Sequence, residues 1–178
     1  MAVELIPRTS ETDKANRLVG RFLQHFALVE EAIDSGLTKL LGLDSGVSDI
    51  VAANVPLAKK IDILFSAENL LAEMPDSERG SLLKKTRSQV LSLNNNRIIA
   101  AHCRFDAIEE GAIVFRRVVA KGKLKIESVE WDEGDVERFC TDATVAAAAI
   151  STIVSELIPY QPRLDFSDPR NSMYLPLL

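Results

Sequence analysis

The sequence predicts a mainly α protein: a helical bundle of four long helices with an added β-hairpin. Three observations predict it. Apolar residues step by three or four from Phe22 through Phe26, Val29, Ile33 and Leu37 to Leu40, which is the stripe of an amphipathic helix. The period changes after Gly111, where "AIVFRRVVA" and "LKIESVEW" are rich in β-branched residues. It reverts at Asp132, where Val136, Phe139, Ala143, Ala147, Ile150, Val154 and Leu157 again fall at helical spacing.

The elements follow in order. The first helix covers about 11–42, opened by Ser10 or Thr12 and ended by the "GLDSG" stretch. A short helical turn is expected at 47–53. Pro56 suits the first turn of a second long helix, about 56–74, because its missing N–H has no helical partner there. Its stripe is Leu57, Ile61, Leu64, Phe65 and Leu71, and Pro75 marks its stop. Asp76 or Ser77 can cap a third helix, about 77–102, carrying Leu82, Leu83, Val90, Leu91 and Leu93. Asn94, Asn95 and Asn96 interrupt it. Asparagine side chains compete for backbone hydrogen bonds, so a bend or break is expected at 94–96, with Arg97 in the first turn of a fresh segment. The hairpin spans about 112–130, with Gly122 in its turn. The last helix covers about 132–158 and ends at Pro159. The tail, 159–178, is proline-rich and expected to be extended.

The chain of 178 residues, 47% hydrophobic, is sized for one domain with a proper core, 1–178. "MAVELIPRTSETDK" has no apolar signal core, and the longest apolar run, near "TVAAAAISTIV", is too short to span a bilayer. A soluble cytoplasmic protein with no membrane partner is expected. Cys103 and Cys140 make neither a disulfide framework nor a metal spacing. There is no glycine-rich phosphate loop and no nucleophile elbow. No cofactor and no metal are expected. His25, beside Phe26, reads as a structural or surface histidine.

The net charge is −5, unevenly spread. Residues 81–105 hold Lys84, Lys85, Arg87, Arg97 and Arg104 with no acid. Residues 112–126 hold Arg116, Arg117, Lys121, Lys123 and Lys125, again with no acid. These windows carry ten of the 21 basic residues, leaving 11 against all 26 acids. A local basic patch is what an acidic protein needs to meet a polyanion.

The chemistry concentrates in "NNNRIIAAHCRF", residues 94–105, where Arg97 and His102 frame a short apolar run. Five residues on an ideal helix turn through about 500°, so the pair diverges by roughly 140°. A bend at the asparagines, or two copies meeting along one groove, would bring these groups together.

The R-x4-H spacing of "RIIAAH", preceded by "LNNN", resembles the signature of HEPN domains. The layout agrees: a long first helix with "FALVEEAI", a second with "AKKIDILF", the motif, and a closing helix. The hairpin after the motif is similar to that of uncharacterised bacterial members. The resemblance implies an α-helical, usually dimeric protein of toxin–antitoxin or defence systems. It implies a metal-independent ribonuclease, with His102 as general acid/base and Arg97 holding the phosphate. Asn95, Asn96, Arg104, Arg116, Arg117, Lys121, Lys123 and Lys125 are then RNA-contact candidates. A homodimer, RNA and an antitoxin-like protein are the partners implied. Catalytic members carry a polar residue after the arginine, where this chain has Ile98. The alternative is therefore a noncatalytic dimeric module that binds RNA, nucleotide or a partner protein.

Overall fold

A computed structural model describes residues 10–71, 77–107, 112–120 and 124–158. The described chain is mainly helical, with one small antiparallel sheet. The order is α1 (Ser10–Leu41), α2 (Ser45–Asn54), α3 (Leu57–Leu71), α4 (Ser77–His102), β1 (Arg104–Ala107), β2 (Ile113–Ala120), β3 (Leu124–Trp131) and α5 (Glu133–Leu157). The long elements lie where the sequence placed them, and the expected turn at 47–53 is the ten-residue α2. The expected stop at Pro75, the Gly122 turn and the tail lie outside the described residues.

Local chemistry sets the helix ends. Gly42, at φ 61°, ends α1. Its N–H bonds the Lys39 carbonyl, and Leu43 N–H bonds the Thr38 carbonyl at 3.0 Å. This is a Schellman closure, which needs a residue tolerant of the left-handed region. Asp44 caps α2 by accepting from the Val47 N–H at 2.9 Å. Asp132 accepts from Asp135 N–H at 2.6 Å while Asp135 accepts from Asp132 N–H at 3.3 Å. That reciprocal pair is a capping box, and it turns β3 directly into α5.

Two expectations about local structure are corrected. α4 runs unbroken through Asn94–Asn96. The penalty for asparagine in a helix is a few tenths of a kcal/mol per residue, less than the burial of Leu93, Ile99 and Ala100 around the triplet returns. The sheet has three strands in the order β1-β2-β3, not two. β1 pairs with β2 through Arg104–Arg116, Phe105–Phe115, Asp106–Val114 and Ala107–Ile113. Its four residues are too few to show a period. A hairpin alone is marginally stable, and a third strand relieves that.

The described residues group into two compact units, one drawn from Met1–Ala27 and Ser92–Thr144 and one from Leu28–Leu91 and Val145–Leu178. The first has an aromatic core. Trp131, 3% exposed, meets Phe22 of α1 edge-on at 5.7 Å between ring centroids, Phe115 of β2 at 4.4 Å and Phe139 of α5 at 5.1 Å. One indole thus fastens the sheet to two helices, through tilted and edge-on geometries that aromatic quadrupoles favour. The second unit has an aliphatic core that includes Ile33, Leu37, Leu40, Ile61, Leu64, Ile150 and Leu157. α1 passes closely there: a Cβ on Gly36 would lie 2.9 Å from Val154 Cγ2.

By length and composition α5 is apolar enough to cross a bilayer. Its residues Val136, Cys140, Ala143, Ala146, Ile150, Ile153, Val154 and Leu157 are buried in the protein, the one-sided pattern of an amphipathic helix packed by a single face.

Candidate nucleic-acid interface

Because α4 is continuous, the phase of each motif residue follows from helical geometry. Arg97 lies four residues after Leu93 and three before Ala100, and both of those are buried. Arg97 therefore belongs to the inward face of α4. It is half-buried and engaged within the fold. Asn95, Ile98 and His102, at i, i+3 and i+7, form the exposed face, with Ile98 38% exposed. Asn96, three residues before Ile99 and four before Ala100, falls on their buried side of the helix and is half-buried. The expected bend is absent, so one chain does not turn Arg97 and His102 towards a common point. His102 is the last residue of α4, where a cation would suit the helix dipole. Cys103 follows, and Arg104 opens β1.

The strand register sorts the basic residues. Arg104 and Arg116 are direct cross-strand partners, with Ser128 next across the sheet, and this row lies on the outer face. Arg116 also pairs with Asp106 at 3.2 Å. Arg117 and Lys125 share the opposite face, the one that carries Ile113, Phe115 and Trp131 further along. There Glu127 stands directly opposite Arg117 and accepts from Lys125 at 3.0 Å. The Glu127 carboxyl is held below its ordinary range, first by the Lys125 hydrogen bond and then by the charges of Lys125 and Arg117. The basic window of 112–126 is thus divided. Arg104 and Arg116 come together, whereas Arg117 and Lys125 are partly neutralised on the other face. Lys121 and Lys123 lie outside the described residues.

A polar seam along α1 and α5 was not singled out in the sequence. Arg21 donates to Glu137 Oε1 at 3.0 Å. Its guanidinium pKa is raised, mainly by that bond and next by a hydrogen bond to Cys140. One turn further, His25 Nδ1 lies 3.3 Å from Thr144 Oγ1, and Thr144 donates to the Cys140 carbonyl. The i, i+4 spacing of Arg21 and His25 was the available signal, but it identifies a face and not the facing residues. Among the described residues no group of three or more His, Cys, Asp or Glu side chains is placed to hold a metal.

No family model, curated protein or solved structure matches the chain, so the HEPN resemblance rests on the motif and the helix order alone.

Proposed function

We propose that this protein is a homodimeric HEPN-like module that binds RNA without cutting it. In this reading α1, α3, α4 and α5 correspond to the family's four long helices, with α2 as a connector. The observation that carries the reading is the divergence of Arg97 and His102 on an unbroken α4. Arg97 follows the buried stripe of Leu93 and Ala100, so its first role is to hold that helix in place. Binding of phosphate then falls to Arg104 and Arg116, adjacent on an exposed sheet face. Paired guanidinium groups on a rigid sheet suit backbone phosphates, which position an RNA without reading its sequence. The dimer would form on the α4 face of Asn95, Ile98 and His102, where an exposed isoleucine sits beside polar groups.

The test is anisotropy of a labelled single-stranded RNA across a salt series. Arg104→Ala with Arg116→Ala should weaken binding, and the slope of log affinity against log salt should fall by about 0.7 for each phosphate that the two arginines no longer neutralise. Unchanged affinity and slope in the double variant would sink the assignment.

A second reading is a ribonuclease assembled across the dimer, favoured by the intact R-x4-H spacing. Purified protein incubated with RNA and a chelator separates the two. The module leaves the RNA intact. Cleavage that disappears in His102→Ala, where loss of an acid/base group costs about 10²–10⁴ in rate, would establish the nuclease instead.

A further inference from the structure

Among the described residues, β3 stands at the edge of the sheet, with β2 on one side and no strand on the other. An edge strand presents a row of backbone N–H and C=O groups that can template another strand. β3 has no proline to block such pairing, and its Lys125, Ile126, Ser128 and Glu130 are exposed. Ile126 is 65% exposed and its cross-strand partner Val118 is 64% exposed, the two most exposed large aliphatic side chains among the described residues. The charges beside them are balanced, since Arg116 pairs with Asp106 and Lys125 with Glu127. A balanced aliphatic patch on an open edge suits a surface like itself.

Symmetry and charge choose the register. A twofold axis perpendicular to the sheet pairs two antiparallel copies of one strand. Side chains alternate between faces, so facing residues share parity and the axis falls at a residue. An axis at Lys125 sets that lysine against its copy, and an axis at Glu127 does the same for the glutamate. Like charges directly opposite destabilise a ladder. An axis at Ser128 sets Ile126 against Glu130. Axes outside Lys125–Ser128 leave Ile126 opposite no β3 residue. An axis at Ile126 sets Ile126 against Ile126 and Lys125 against Glu127 in both directions.

We propose that β3 pairs antiparallel with β3 of a second copy about a twofold axis at Ile126, joining the two sheets edge to edge. On the outer face Val118 and Ile126 of one copy then continue into Ile126 and Val118 of the other. On the opposite face Glu127 stands between Arg117 of its own chain and Lys125 of the second copy. The axis keeps both outer faces on one side, so the two Arg104–Arg116 pairs share it. The ladder covers residues 124–128, a contact of the small, transient class. It forms at concentrations well above the micromolar range, separately from the α4 face and without RNA.

The experiment is thiol cross-linking of the full chain carrying Cys103→Ser and Ile98→Glu, which removes a half-buried thiol and the α4 contact. Ile126→Cys in that chain places the two thiols in direct cross-strand positions, about 4.5–5.5 Å between Cβ atoms. Oxidation at high concentration should give covalent dimer. Ser128→Cys places them four residues apart along the ladder, about 13 Å, beyond the roughly 7 Å between Cα atoms that a disulfide spans. It should give no more dimer than the chain without the added cysteine. Sedimentation velocity supplies a second arm in the Ile98→Glu chain. Lys125→Glu alone and Glu127→Lys alone each set like charges face to face and should weaken self-association by about tenfold. An equimolar mixture of the two restores opposite charges at both positions and should associate as the parent does, which misfolded variants could not do. Cross-linking through Ser128→Cys that equals or exceeds that through Ile126→Cys would overturn the proposal. So would a mixture that associates no better than its components.

Discussion

Arg104 stands directly opposite Arg116 on the outer face of the β1–β2 ladder. Like charges facing across a ladder destabilise it by a few tenths of a kcal/mol, and Asp106, 3.2 Å from Arg116, offsets part of that. Arg104→Thr should therefore raise stability by up to about 0.5 kcal/mol in RNA-free protein, measured by urea titration at low salt. The same substitution should weaken RNA binding. A variant less stable than the natural protein would show that Arg104 serves the fold and not a ligand.

Lys60 is buried, with its side chain 7% exposed, and its Nζ lies 2.7 Å from Asp34 Oδ1 and 2.8 Å from the Ala52 carbonyl. Asp34 Oδ2 receives the aligned hydrogen bond at 3.0 Å, while Oδ1 is held by charge. Asp34→Ala should cost about 3 kcal/mol, because it strands a buried ammonium with a single carbonyl. Combining Asp34→Leu with Lys60→Met should recover most of that stability, since no charge then remains buried. Equal destabilisation by the single and the double change would refute this account.

Two glycines inside α1 should respond to alanine with opposite signs. Gly20 has nothing within 4 Å of its Cβ position, so Gly20→Ala should gain about 0.5–1 kcal/mol from helix propensity. At Gly36 the added methyl would lie 2.9 Å from Val154 Cγ2 and 3.3 Å from Leu64 Cδ1. Gly36→Ala should cost about 1–3 kcal/mol through overpacking. Thermal melts of the two variants should move in opposite directions.

Acid should weaken the Lys14–Glu133 pair, which closes at 2.6 Å. The Lys14 hydrogen bond and charge hold the Glu133 carboxyl below its ordinary value of 4.5. A depressed folded-state pKa adds stability that is fully present above about pH 4.5 and is lost as pH falls through the folded value. Glu133→Gln should flatten that part of the acid limb and leave neutral stability nearly unchanged, because both groups are exposed. An identical acid limb in the variant would count against the linkage.

Ile98 tests the dimer. Light scattering should give twice the chain mass at micromolar concentration. Ile98→Glu should shift the protein towards monomer, since it places a charge on the face expected to meet its twofold copy. A natural protein already monomeric in that range would remove the dimer from the reading.

The sequence alone determined the periodic parts of the protein. Helical spacing from Phe22 to Leu40 and from Val136 to Leu157 announced α1 and α5, and β-branched runs on either side of Gly122 announced β2 and β3. These signals are legible because burial on one face forces a period on consecutive residues. The asparagine triplet was misleading, because local propensity is a weak term that the packing of Leu93, Ile99 and Ala100 overrides. β1 was illegible, since Arg104–Ala107 acquires its strand only by pairing with β2. The site divides in the same way. The sequence supplied Arg97, His102 and the two basic windows, but facing partners are set by register, and register depends on contacts distant in the chain. Only the tertiary structure set Arg104 opposite Arg116, neutralised Lys125 with Glu127, and left Val118 and Ile126 side by side in solvent.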